Sequence, residues 1–251
     1  MSTSRRTAFV TGASQGLGAA IATALAQAQF DVAVSGTRAA SLGDTMGRIE
    51  AAGARAVAVE LDLREPSNAE RAMAEVITAF GHLDVLVNNA GITLRKWALE
   101  VTPAEWEALL DINLKGAFFL SQQMGRHLVA SGRTGCIVNI ASTYGIVGYA
   151  QRSVYGISKA GLIHMTKMLA IEWAEHGIRV NAVAPGTVDT PSRAAYFAAD
   201  TAARDAIRAR VPLRRFATME EVAAAVCYLV GPQAEYITGH TLLLDGGLTA
   251  Y

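Results

Sequence analysis

The 251-residue chain predicts an α/β fold: a single doubly wound parallel sheet of about seven strands with helices on both faces. Short β-branched runs alternate with longer Ala-rich helical patterns along the whole chain. The strand runs are almost continuously apolar, as expected of a parallel sheet covered on both sides. A glycine-rich turn separates the first strand from the first helix. No internal repeat, low-complexity tract or Pro/Ser-rich linker divides the chain, so residues 1–251 read as one domain.

Taken in order, the first strand spans residues 8–11 (Ala-Phe-Val-Thr) and leads through the glycine turn into a helix over 17–28. A second strand at 32–35 precedes a helix over 40–52. A third at 56–61 precedes a helix over 67–80. The fourth strand, 85–88, is followed by a long helix over 103–130, and the fifth, 137–140, by another over 154–176. The sixth strand at 179–184, a helix at 219–230 and a last strand at 241–244 complete the alternation. Right-handed crossovers then place the helices on both faces. The two long helices are rich in small and apolar residues, and the closing 237–251 segment is largely apolar. Both features predict a symmetric homo-oligomer.

Composition narrows the function classes. Hydrophobic residues make up 51% and charged residues 18%, which excludes a disordered chain. Lys+Arg and Asp+Glu are 22 each, a balance that argues against nucleic-acid binding and against electrostatic attachment to a membrane. No apolar run is long enough to span a bilayer, and no separate apolar segment precedes the first strand, so a cleaved signal is not expected. Cys136 and Cys227 have no paired spacing and read as buried thiols. A cytoplasmic protein without a metal site is the expectation.

The turn Thr11-Gly-Ala-Ser-Gln-Gly-Leu-Gly18 carries the first chemical signal. Unpaired N–H groups and aligned peptide dipoles at a helix start favour an anion such as a phosphate. Gly12 suits the tight turn, Gly16 the approach of a pyrophosphate, and Gly18 close helix–strand packing. Tyr155 and Lys159 lie four apart on one helical face. An ammonium beside a phenol stabilises the phenolate and brings its pKa toward a useful range. Ser142 ends the apolar run at 137–140, on the side of the sheet where ligands bind. There its hydroxyl can serve a carbonyl oxygen, or simply act as an N-cap.

Thr11-Gly-x-x-x-Gly-x-Gly18, Asn88-Asn89-Ala90-Gly91, Asn113, Ser142, Tyr155-x-x-x-Lys159, Pro185-Gly186 and Asp245-Gly246-Gly247 follow one another in a telling order. In this the chain resembles the classical short-chain dehydrogenases/reductases over essentially its whole length. The resemblance implies a Rossmann fold, a nicotinamide cofactor, and hydride transfer between a carbonyl and an alcohol carbon. It makes Tyr155 the general acid or base. Lys159 lowers the Tyr155 pKa and holds the nicotinamide ribose, while Ser142 holds the substrate oxygen. Asn113 keeps a water in the proton relay. Ser14, Gln15 and Leu17 would join the three glycines around the phosphates. Asp62, with Leu63 beside it, would meet the adenine, and Asn89, Ala90 and Gly91 would brace the adenosine side. Pro185, Gly186, Val188 and Thr190 would grip the carboxamide. A tetramer is also implied.

Cofactor choice turns on the end of the second strand. Gly36 stands where relatives that prefer NAD usually carry Asp, and Thr37 and Arg38 follow with groups suited to a 2′-phosphate. NADP is the expected cofactor. Gln15, where many relatives that prefer NADP are basic, keeps NAD as the alternative.

The family's specificity segment corresponds to residues 187–216, often a lid over the substrate. It holds Tyr196, Phe197 and Arg193, Arg204, Arg208 and Arg210, whose spacing suits a solvated helix face better than an anion site. Tyr144, Gly148, Tyr149, Gln151 and Trp97 are expected around an aromatic, mainly apolar pocket for a ketone or secondary alcohol of modest size. The chain is also similar to the 3-oxoacyl-[acyl-carrier-protein] reductase branch. That branch usually has a basic residue where this chain has Ile171, which disfavours a carrier-borne substrate. An NAD-dependent alcohol, polyol or sugar dehydrogenase and a non-catalytic nucleotide sensor are the remaining alternatives. The retained Tyr155–Lys159 pair argues against the sensor.

Overall fold

The computed structural model describes residues 5–250, apart from the side chain of Tyr196. Seven strands form one parallel sheet: β1 (Arg6–Val10), β2 (Phe30–Gly36), β3 (Ala56–Glu60), β4 (Val85–Asn88), β5 (Gly135–Ile140), β6 (Ile178–Pro185) and β7 (Thr241–Leu244). Their order is β3-β2-β1-β4-β5-β6-β7, so the winding reverses between β1 and β4. Ala8, Phe9 and Val10 of β1 lie opposite Val85, Leu86 and Val87 of β4, and all six are fully buried.

The alternation of side chains across the pleat divides the core in two. Ala8, Val10, Val32 and Val34 face a layer that includes Ile21 and Leu25 of α1 (Gly16–Gln27), Ile49 of α2 (Gly43–Ala51) and Val226 of α9 (Met219–Val230). Phe9, Ala33 and Leu86 face the opposite layer. It is built from Val76 of α3 (Ser67–Phe80), Leu120 and Met124 of α5 (Ala117–Ser131), and Leu162 of α6 (Ser153–Trp173). Both faces are therefore dry, which is why the strands read as apolar runs.

Some elements differ from the sequence expectation. The long helix expected over 103–130 is interrupted: α4 (Pro103–Leu110) passes into a π-helical turn, Asp111–Gly116, before α5 begins. A Cβ on Gly116 would stand 2.6 Å from Leu63 Cβ, so this turn fits tightly under the loop after β3. Tertiary fit of this kind leaves no periodic trace in sequence. Two further helices, α7 (Pro191–Ala199) and α8 (Thr201–Ala209), occupy the specificity segment. Val188 pairs in parallel with Ala217, closing the base of that excursion. Cys136 is buried on β5 and Cys227 is half-buried on α9, both as free thiols. Among the described residues no helix is long and apolar enough to cross a membrane.

Candidate active site

At the carboxyl ends of the strands, on both sides of the β1/β4 reversal, two cavities of about 400 and 320 Å³ meet along Leu17, Asn89, Gly91 and Ile92. The first is walled by the glycine turn. Gly12 has φ +64°, and a Cβ there would stand 2.7 Å from the Ala90 Cα. A Cβ on Gly18 would collide with the Gly12 carbonyl and come within 2.5 Å of Asn89 Nδ2. Asn89 clamps this turn by donating from Nδ2 to the carbonyl oxygens of Thr11 (2.9 Å) and Gly12 (3.0 Å). Thr11 Oγ1 in return accepts from the backbone N–H groups of Asn89 and Ala90, each at 3.0 Å. Gly16 opens α1 behind Gln15, whose side chain does not cap the helix, so the first N–H groups there are left for an anion.

Ser14, Gln15, Thr37, Asp62, Leu63 and Ala90 also line this cavity. Gly36 is buried at the end of β2, where a Cβ would meet Ser41 Oγ at 3.2 Å, and the carboxylate there comes from the neighbouring strand: Glu60, opposite Gly36, accepts from Ala39 N at 3.4 Å. Arg38, at the mouth, is exposed and outside the wall, and makes no ion pair among the described residues. Asp62 is not a bare loop carboxylate. Arg64 donates from Nε to Oδ1 at 3.0 Å and to Oδ2 at 3.1 Å, and this guanidinium holds the carboxyl below its ordinary range. The donor set and the bare glycine cradle fit a dinucleotide.

The second cavity holds the three side chains singled out for catalysis, Ser142, Tyr155 and Lys159, together with Pro185, Gly186, Val188 and Thr190. Ser142 follows β5 by two residues and does two things at once. Its Oγ accepts from the Tyr144 backbone N–H at 3.2 Å, capping a short 3-10 turn, and the same side chain favours the ionised form of the Tyr155 phenol in the shared cavity. Desolvation pushes the phenol above its ordinary pKa, against the opposing effects of Ser142, Arg193 and Arg152. Lys159 is buried. Its Nζ donates to the Ile140 carbonyl at 2.8 Å and lies 5.8 Å from the Tyr155 ring centre. Burial pushes this amine down to about 8. The lysine is therefore tied to the strand tip, and it is Ser142 and two arginines that oppose the desolvation of the phenol.

Asn113, on the π-helical turn, is 1% exposed, and its side chain is committed to protein partners. Oδ1 accepts from Ile92 N at 2.8 Å, while Nδ2 donates to Ile92 O (2.9 Å) and Ser158 Oγ (3.2 Å). Ser158 donates to the Tyr155 carbonyl at 2.7 Å, so Asn113 fastens the loop after β4 to the helix that bears Tyr155 and Lys159. A water held by this residue would need its backbone, since the amide is occupied. Sequence reasoning missed Ser158, although it lies between the two catalytic candidates.

The pocket wall differs from the one expected. Tyr144 and Tyr149 line it, stacked with ring centres 5.3 Å apart. Trp97 is 54% exposed and stands outside, as do Gly148 and Gln151. Gln151 instead accepts from Arg95 Nε at 2.8 Å. Arg204 and Arg208 are exposed on α8 as expected, and Arg208 pairs with Asp205 at 3.1 Å. Arg193 and Arg210, however, turn into the cavity wall, joined by Arg152 from the start of α6. Helical spacing identifies a face but not what that face meets. Asp245, from the last motif, accepts from Gly247 N and Thr249 N, each at 2.9 Å, and so builds a turn.

Comparison with known proteins agrees with this architecture. A family model described as enoyl-(acyl carrier protein) reductase matches residues 12–249. The 2-dehydro-3-deoxy-D-gluconate 5-dehydrogenase of Escherichia coli K12 is 36% identical over 98% of this chain and 96% of its own length. A candidate short-chain alcohol dehydrogenase from Sinorhizobium meliloti 1021 superposes with a TM-score of 0.95 at 40% identity, covering 99% of this chain and 98% of that one. A candidate 2-deoxy-D-gluconate 3-dehydrogenase from Agrobacterium tumefaciens, solved with bound NADP, gives 0.91 at 39% identity over 98% and 97%.

Proposed function

The chain is a member of the classical short-chain dehydrogenase/reductase family, and on that premise we propose a role for each side chain of its groove. It is an oxidoreductase of CH–OH groups that works with a nicotinamide cofactor. In our reading the substrate is a ketone or secondary alcohol and NADP is the preferred cofactor. Held by Lys159, Pro185, Gly186, Val188 and Thr190, a nicotinamide would supply the hydride for reduction of the carbonyl carbon or take it up in oxidation of the alcohol carbon. Tyr155 donates its phenolic proton to the carbonyl oxygen in the first direction and takes it back in the second. Ser142 holds the same oxygen as charge develops. Lys159 would hold the nicotinamide ribose and keep a positive charge beside the phenol. Asn113 positions the helix that carries both.

For the cofactor, Gly12, Ser14, Gln15, Gly16, Leu17 and Gly18 would surround the phosphates, Asp62, Leu63, Asn89, Ala90 and Gly91 the adenosine side, and Pro185, Gly186, Val188 and Thr190 the carboxamide. Thr37 and Arg38, which follow β2, would take the 2′-phosphate. Residues 187–216 would act as the lid. The free thiols support a reducing, cytoplasmic setting. Exposed apolar side chains on α5 and α6, Phe118 and Met168 among them, support a homo-oligomer, a tetramer by family resemblance.

One observation carries the catalytic reading: Ser142, a desolvated Tyr155 phenol and Lys159 line one cavity at the strand ends. The test is a panel of ketones and secondary alcohols run with NADPH, NADH and their oxidised forms. Turnover faster with the phosphorylated cofactor is expected. A panel without turnover in either direction would remove the proposal.

A further inference from the structure

Three guanidinium groups, those of Arg152, Arg193 and Arg210, line the cavity that contains Ser142 and Tyr155, while no Asp or Glu lines it. In the same segment Arg208 pairs with Asp205 at 3.1 Å and Arg215 with Glu221 at 2.6 Å, on exposed side chains. Arg152 and Arg193 have none among the described residues, although both are half-buried.

Arg152 is held in place. Its Nη1 donates to Thr93 Oγ1 at 2.7 Å and to the Leu94 carbonyl at 3.3 Å, which fixes the planar fork and leaves its other nitrogens available. Arg193 sits in the first turn of α7, with Cζ 5.9 Å from the Phe197 ring centre. Arg210 covers the Tyr149 ring at 5.1 Å and forms the rim. Cationic groups gathered in a half-buried wall repel one another and are poorly solvated. Burial holds Arg152 below the usual guanidinium range, and Arg193 and Arg95 push in the same direction. An anion between the forks would relieve both costs. A carboxylate matches their bidentate geometry.

From this convergence we propose that the substrate carries a carboxylate, bound by Arg152 and Arg193 while its carbonyl or alcohol carbon lies at Tyr155. The inference rests on the oxidoreductase reading above and specifies its substrate class: a hydroxy acid oxidised to an oxo acid, or the reverse. The cavity of about 320 Å³ must also take the nicotinamide, which leaves room for a short acid.

The test compares oxo acids from 4-oxopentanoate to 7-oxooctanoate, each with its own methyl ester. In kinetics with NADPH, the best acid should exceed its ester in kcat/KM by on the order of 10- to 100-fold, the worth of a charge-assisted pair. In Arg193→Gln that ratio should fall toward one, and Arg193→Lys should restore part of it. Arg152→Gln should act likewise; if loss of its Thr93 and Leu94 contacts unfolds the protein, the α7 variants carry the test. A calorimetric titration of the NADP⁺-bound protein with the same pairs reads binding without turnover. Its failure is therefore separable from failure of the redox reading. Acid and ester titrating alike, or neither binding, overturns the proposal.

Discussion

Lys159 donates its Nζ to the carbonyl oxygen of Ile140 at 2.8 Å, which fastens α6 to the end of β5 beneath the reaction cavity. The amine is thereby desolvated and titrates at about 8, against 10.5 for an ordinary lysine. Between those two values the unfolded chain binds a proton that the folded chain has released, so Lys159 contributes stability to the cofactor-free protein that grows with pH across that window; the Cys136 and Cys227 thiols, which burial pushes up, act with the opposite sign. From pH 8 to 10 the lysine's share is about 2 kcal/mol. Urea denaturation of the wild type and of Lys159→Met at both pH values reads it: the change in stability from pH 8 to 10 should be more favourable in the wild type by that amount. Equal changes in the two proteins would mean that the lysine is better solvated than this geometry implies.

Tyr155→Phe keeps the ring and its edge-on contact with Tyr144, 6.2 Å between centres, while removing the proton. Turnover should fall by about 10³-fold or more, with NADPH binding retained. Fluorescence titration of the cofactor alongside steady-state rates separates the two. Activity near wild type would end the acid–base assignment.

How much of this was legible before the fold was known differs from residue to residue. The glycine turn was readable because a missing side chain and a helix start are local facts, and Gly12 bears them out with φ +64°. The Tyr155–Lys159 face was readable from i, i+4 spacing. The π-helical turn at Asn113 was not, because it arises where Gly116 fits against Leu63, some 50 residues away in sequence. Arg193 was misread for a related reason. Periodicity put it on a helix face, but only the closing of Val188 against Ala217 turns that segment back over the strand ends.

Gly12→Val should abolish cofactor binding and destabilise the fold. The new side chain would need a left-handed backbone and would strike Ala90, at a combined cost of about 3 kcal/mol. Denaturation midpoint and NADPH affinity should fall together. A variant that binds the cofactor normally would dissociate the turn from the phosphates.

Arg38→Ala tests cofactor choice. Because β2 itself ends in Gly36 and not in an acidic residue, preference for NADP rests on the attraction of Arg38 for a 2′-phosphate outweighing the Glu60 carboxylate on the neighbouring strand. The exposed position of Arg38 moderates the effect, so KM for NADPH should rise about tenfold. KM for NADH should move much less. Equal shifts would make Arg38 an ordinary surface residue and favour NAD.

Self-association can be tested on α5 and α6. Phe118 and Met168 are 37% and 47% exposed, and together with Trp106 and Leu114 they line an apolar hollow between neighbouring helices. In a two-fold contact every substitution counts on both copies. Removing both side chains from both copies should cost the dimer on the order of 3 kcal/mol, about 100-fold in its dissociation constant. Phe118→Glu with Met168→Glu adds like-charge repulsion, so sedimentation should reveal smaller species than the wild type. Circular dichroism would check that the fold survives, since neither residue is fully buried. A double variant that sediments as the wild type does would move the interface elsewhere, with the closing apolar segment that contains Leu243 as the next surface to test.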